Sequence, residues 1–325
     1  MINTKRTVVG LIIFGVAVLV SGWVGPHIYD LREERSLRGL TGYLSYGEIV
    51  RLFPLFFLVL VLAAFSGGWR EMGLAFNFRD NRVTYLLFIL AYTTVMTVSI
   101  VIGFVVNALS FSTLHLEFYL KIVAHNLILF LPAVPAAEII WRGYLTNQLM
   151  KLRLKSWHIY LITTGLWWLW WFPVWNSTMI KNYYFSEFNV PGVTVVVVTL
   201  FMFFCWSVFY TEAFRLTRSI WPGMITYFFM SVCNMREFVK EITSADIVFL
   251  VLVPSALLGV IGFIIGRHER LPHGNLGLLM VHNRKVICLV SFLFIIVFGV
   301  VSAAIYHFGV ERPWFVSIHR AMTEY

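Results

Sequence analysis

Charge is scarce in this chain. Aspartate and glutamate number 16 among 325 residues, and charged residues of both signs make up only 13%. A soluble globular domain carries about a quarter. Cysteine is scarcer still. Cys205, Cys233 and Cys288 sit in apolar segments without C-x-x-C spacing, which excludes a disulfide framework and a cysteine-based zinc site. They read as small buried residues. No internal repeat, low-complexity tract or linker divides the chain, so one domain over residues 1–325 is the simplest organisation. What fills the sequence instead is apolar: 59% hydrophobic residues and a mean hydropathy of +0.81. Apolar runs of this length must satisfy their backbone hydrogen bonds internally, so the fold class is all-α, a polytopic transmembrane helical bundle.

Apolar windows predict spans at 8–25, 50–67, 83–108, 119–141, 158–174, 191–214, 220–235, 246–266 and 286–307, eight or nine crossings in all. Pro173 and Pro222 shorten or interrupt the fifth and seventh. The first run follows Lys5 and Arg6 like a signal peptide but lacks a small-x-small cleavage site, and reads as a retained span. The formal charge of +9 does not point to nucleic acid, because no basic run with interleaved aromatics could track a phosphate backbone. Its distribution sets topology instead. With the N-terminus inside, 14 Lys and Arg fall in cytoplasmic loops and 9 outside, Arg51 among the latter. That bias predicts a cytoplasmic N-terminus and an external C-terminus. The loops Asp30–Glu48 and Asn176–Asn189, the second with Tyr183, Tyr184 and Phe185, are long enough to carry structure or meet a partner.

Within this apolar background Glu138 and Arg142 stand out. Intramembrane charges are costly and need a partner or a task, and an i, i+4 spacing puts carboxylate and guanidinium on one helix face. The stretch Ala136-Ala137-Glu138-Ile139-Ile140-Trp141-Arg142-Gly143-Tyr144-Leu145 resembles the first motif of the CPBP (CAAX protease and bacteriocin-processing, or Abi) intramembrane metalloproteases. In those proteins it is written Glu-Glu-x-x-x-Arg, then Gly-Tyr/Phe-Leu. Here the first Glu is Ala137. Trp167-Trp168-Leu169-Trp170-Trp171-Phe172-Pro173 is similar to a second motif, Trp/Phe-x-x-x-His, with Trp171 at the His position. Ser219-Ile220-Trp221-Pro222 resembles a third, with Tyr227 where a His and Ser231 where an Asn would follow. The lead-in Trp69-Arg70-Glu71-Met72-Gly73-Leu74 fits the amphipathic segment such proteins carry before their core. The resemblance implies a core over about 69–266, with added spans at 8–25 and 286–307.

The family's chemistry, as the resemblance implies it, needs a glutamate base, imidazoles that bind zinc or polarise water, and an amide for the oxyanion. A catalytic zinc takes three protein ligands and keeps a position open. Indole is a donor only and offers no lone pair, neutral tyrosine is a poor ligand, and Ala137 is a methyl group. The expectation is a pocket where Ala137, Trp171 and Tyr227 meet and no metal binds. Relocated ligands would have to come from His125, His158, His307 or Glu212. His125 is 13 residues from Glu138, roughly 20 Å along a helix. Glu212 lies three residues from Arg215 and reads as a local ion pair.

Glu138 and Arg142 therefore read as a structural pair. Trp167, Trp170 and Trp171 share one face and either plug the cavity or, with Trp168, form an interfacial belt. The function predicted is a pseudoprotease that binds or scaffolds a membrane protein, a lipidated chain or a peptide. No cofactor and no nucleic acid are expected, and the location is a plasma membrane, by family diversity a bacterial one. The competing expectation is an active intramembrane metalloendopeptidase using Glu138, zinc and an unorthodox ligand set. A small-molecule transporter would show paired broken helices and internal symmetry, which are lacking.

Overall fold

The computed structural model describes residues 4–30, 46–65, 69–105, 131–176, 192–232 and 252–268. Among them there is no strand. The helices are α1 (Thr4–Asp30), α2 (Tyr46–Phe65), α3 (Phe78–Val105), α4 (residues 131–151), α5 (Ser156–Asn176), α6 (Gly192–Thr217), α7 (Trp221–Val232) and α8 (Val253–His268). A short 3₁₀ turn, Trp69–Glu71, precedes α3. The expected span 286–307 lies outside the described residues, as do His125, His307, Cys288 and the loop with Tyr183–Phe185. Among the described residues three helices are long and apolar enough to cross a membrane: Thr4–Trp23, Phe78–Gly103 and Val196–Thr217.

The distribution of polarity is that of a protein dissolved in lipid. Ile12, Val16, Val20, Phe57, Val61, Val197 and Phe263 are exposed, while Glu138, Arg142, Asn147, Gln148, Thr163, Ser207, Thr211 and Glu212 are buried. Polar side chains need protein partners when the outer solvent offers none, so they gather inside. Close helix contacts use small residues for the same reason. On α8, Gly259, Gly262 and Gly266 lie against Cys205, Phe209 and Glu212 of α6, with no room for a Cβ.

Pro222 is the second residue of α7, a short helix of 12 residues, where the missing N–H is no loss. The first span packs against the helices of the 69–266 segment. Phe14 of α1 is fully buried, 6.0 Å from the Trp141 ring and 5.4 Å from that of Tyr144. Gly22 of α1 lies so near the Trp170 backbone that a Cβ would come within 3.0 Å of its carbonyl.

The segment 69–77 proves to be a clamp. Ile220 N–H donates to the Gly73 carbonyl at 3.0 Å. The Ser219 hydroxyl donates to the Ala75 carbonyl at 2.9 Å, and the Trp221 indole N–H to that of Leu74 at 3.0 Å. Asn77 Nδ2 donates to the Thr217 carbonyl at 2.7 Å. Gly73 makes this possible by adopting φ +70° in a space where a Cβ would strike Phe214 and the Arg218 carbonyl. Four bonds thus fix the start of α7 before its side chains reach the interior.

Candidate functional site

The Glu138 helix is locally wide. Ile139–Thr146 is π-helical, and Asn147 N–H donates to the carbonyl of Arg142, five residues back. The Thr146 hydroxyl covers the Trp141 carbonyl at 2.9 Å. π-Helical turns are rare and concentrate at functional positions. Gly143 sits within this turn, where a Cβ would come within 2.9 Å of the Met72 carbonyl and 3.7 Å of Ile220. The Gly of the Arg-Gly-Tyr sequence is thus the point where the 69–77 clamp and α7 close on α4.

Arg142 Nη1 lies 3.1 Å from Glu138 Oε1, and both side chains are only 2% exposed. The guanidinium is held between two rings, 4.3 Å from the Trp167 centroid and 4.5 Å from that of Tyr210. Such a sandwich stabilises a cation after its water is removed. The other carboxylate oxygen, Oε2, faces the Gly223 Cα in α7, and any Cβ there would overlap it. Neither Oε2 nor Arg142 Nε and Nη2 has a hydrogen-bond partner among the described residues. All three motifs therefore meet, through Glu138 and Arg142 of the first, Trp167 of the second and Gly223 of the third.

The positions at which the motifs are degenerate occupy the edges of this cluster. Ala137, Trp171 and Tyr227 are half-buried against the same core. Ser231 stands near the end of α7. Within the tryptophan run Trp167 and Trp170 are buried and Trp171 is half-buried against the same core. Their indoles belong to the helix bundle. Trp168 donates to Thr199 Oγ1 at 3.0 Å and Trp170 to Ser21 Oγ at 3.1 Å, while Trp141 packs 6.0 Å from both Trp167 and Trp170.

Arg51 was counted as an external loop charge. It is 1% exposed, inside the bundle. Its guanidinium lies 4.1 Å from the Trp170 ring and 5.1 Å from that of Trp171, and Nη1 donates to the Trp170 carbonyl at 3.2 Å. An arginine heading an apolar run at the same end of the bundle as four tryptophans was the available signal.

A second buried carboxylate lies in α6. Glu212 is 1% exposed and pairs with Arg215 at 2.6 Å, as its spacing suggested. It also accepts a short hydrogen bond from the Tyr160 hydroxyl of α5, and Arg215 reaches Ser156 at 2.9 Å. His158, the relocated ligand the sequence offers in α5, lies beside Trp157, ring centroids 3.8 Å apart and planes inclined at 32°.

The resemblance implies a zinc ion, and donor chemistry tests the fit. Methyl, indole and phenol at 137, 171 and 227 supply no lone pair suited to zinc. Among the described residues no three His, Cys, Asp or Glu side chains are grouped to hold a metal. The side chains at these three motif positions do not fit that group.

The fold and cluster define a helical membrane protein in which three short motifs converge on one buried ion pair. Residues 119–233 match the model of the Rce1-like family, the type II CAAX prenyl endopeptidases. That stretch contains all three motifs, while α1, α2, Arg51 and the 69–77 clamp lie outside it. No curated protein and no solved structure matches the chain.

Proposed function

We propose that this chain is a CPBP-like pseudoprotease, a membrane bundle that keeps the family's scaffold without its hydrolytic centre and binds a partner instead. The observation carrying this reading is the Glu138–Arg142 pair, closed on itself between Trp167 and Tyr210, beside positions that are Ala137, Trp171 and Tyr227. A carboxylate neutralised by an arginine one turn along its own helix, beside a methyl, an indole and a phenol, is a structural ion pair. The partner is a membrane protein, a lipidated chain or a secreted peptide's precursor. We place the chain in a bacterial plasma membrane, crossing eight or nine times, N-terminus inside and C-terminus outside, as one domain needing no cofactor.

Glu138→Gln in the full chain tests it. Partner recovery from native membranes, or thermal stability, should fall, and no proteolytic product should disappear. One observation favours a different reading: Glu138 Oε2 has no hydrogen-bond partner among the described residues, as an active peptidase with unorthodox ligands would require. Zinc analysis of the purified protein separates the two. Stoichiometric zinc lost in Glu138→Gln, with a cleavage product lost at unchanged protein level, overturns the pseudoprotease.

A further inference from the structure

We propose that one end of the bundle, where segments 69–82, 151–157 and 212–221 meet, binds the headgroups of anionic phospholipids. Side-chain contacts assemble this end. Asn77 holds the Thr217 carbonyl, Ser219 and Trp221 hold those of Ala75 and Leu74, and Arg215 reaches Ser156. Lys151 pairs with Glu71 at 2.5 Å. The three segments carry eight Lys and Arg against three acids, and Glu71 and Glu212 are already paired with Lys151 and Arg215. Arg79, Arg82, Arg153, Lys155 and Arg218 are exposed, and none of them enters an ion pair among the described residues.

Backbone conformation singles out two of these cations. Among the described residues only two other than glycine adopt positive φ, Arg153 at 55° and Arg218 at 51°. They follow α4 and α6, in the left-handed turn that glycine or asparagine ordinarily fills. The bonds closing these turns, Arg153 N–H to the Met150 carbonyl at 2.9 Å and Arg218 N–H to that of Phe214 at 2.8 Å, use only backbone. Glycine would make them without strain, so the exposed arginine side chains serve something outside the chain. Their surroundings indicate what. Trp69, Phe76, Phe78 and Trp157 are exposed. Phe76 and Phe78 stack at 5.7 Å and 7°, and Phe76 meets Trp221 edge-on at 5.1 Å. Exposed rings beside basic side chains at the ends of apolar helices belong at headgroup depth. A guanidinium fork matches two phosphate oxygens. A zwitterionic headgroup brings its own cation, so an excess of unpaired positive charge favours a lipid of net negative charge.

The full chain, purified in neutral detergent, is titrated with phosphatidylglycerol while its thermal midpoint is followed, with phosphatidylcholine and inorganic phosphate as controls. Phosphatidylglycerol should raise the midpoint saturably, and neither control should. Each cation removed should weaken the response about fivefold, so Arg153→Gly combined with Arg218→Gly should move half-saturation by roughly 25-fold. Because glycine relieves the left-handed turns, the same variant should be at least as stable as the parent without lipid. Opposite effects on stability and on lipid response separate a lost site from a damaged fold. If that variant does not fold, Arg79→Gln combined with Arg82→Gln, at exposed positions, carries the same expected loss of response. An equal shift with phosphatidylcholine or with inorganic phosphate overturns the proposal, and so does an unchanged half-saturation in the folded variants. Absence of any phosphatidylglycerol response, with a co-purifying acidic protein lost from the same variants, overturns it in favour of a protein partner. The site is independent of the pseudoprotease reading: zinc and cleavage in the unaltered protein would remove that reading and leave the lipid response standing.

Discussion

Among the described residues two buried glutamates pair with arginines, and their surroundings differ in kind. Glu212 has two polar partners: Arg215 and the Tyr160 hydroxyl share its Oε1, and Arg215 reaches outward with 32% of its side chain exposed. Glu138 has one polar partner, Arg142, sealed with it, and the remaining contacts are ring faces and a glycine. The first arrangement is a tie between α5 and α6 that still touches the outside. The second is a closed ion pair whose partners cannot be replaced from solvent. What separates them is access, and access decides how much each tolerates.

The largest expected effect sharpens that difference. Arg142→Met leaves Glu138 a buried charge without compensation, a loss of about 3–5 kcal/mol. Arg215→Met removes a partner that is itself one-third exposed and leaves Glu212 the Tyr160 hydrogen bond, so a smaller loss of about 1–3 kcal/mol is expected. Thermal or denaturant unfolding of the purified protein in detergent measures both. Equal losses would show that the two sites are energetically alike despite their different exposure.

Part of this arrangement was legible in the sequence. The i, i+4 spacing of Glu138 and Arg142 and the i, i+3 spacing of Glu212 and Arg215 both predicted ion pairs, because local helix geometry alone brings such residues together. Helix positions followed from apolar runs for the same reason. What could not be read were contacts set by tertiary packing. Tyr210 and Tyr160 are aromatic residues among many, and only the α4–α6 contact directs the first at Arg142 and the α5–α6 contact the second at Glu212. The 69–77 segment resembled a generic lead-in, although its backbone carbonyls fix the start of α7. Arg51 was counted for topology because a charge beside an apolar run usually lies in a loop; its cage is built by residues 119 positions away.

An intermediate effect comes from the glycines that face each carboxylate. Gly223→Ala puts a methyl group into Glu138 Oε2, and Gly266→Ala puts one 2.5 Å from the Glu212 carboxyl carbon. Glu138 is locked by the rings around Arg142, so the first substitution is expected to cost about 1–3 kcal/mol. Glu212 can shift with the partly exposed Arg215, and the better helix propensity of alanine, worth about 1 kcal/mol, offsets its smaller strain. A larger midpoint drop for Gly266→Ala than for Gly223→Ala would reverse the assignment of the rigid and the yielding site.

The smallest effect, that of Tyr210→Phe, is read against Tyr160→Phe and isolates the two phenols. Tyr160 contributes a hydroxyl to its carboxylate, whereas Tyr210 offers its ring face to a guanidinium. Removing the hydroxyl should therefore matter at one and little at the other. Tyr160→Phe breaks a hydrogen bond to a charged group and is expected to cost about 1.5–3 kcal/mol. Tyr210→Phe keeps the cation–π contact and should stay within about 1 kcal/mol. Unfolding midpoints of the two variants, read beside Arg142→Met, settle the matter: if Tyr210→Phe falls as far as Tyr160→Phe, the Tyr210 hydroxyl supports the Glu138 pair directly, and the contrast between a hydrogen-bonded and a ring-sheathed carboxylate no longer holds.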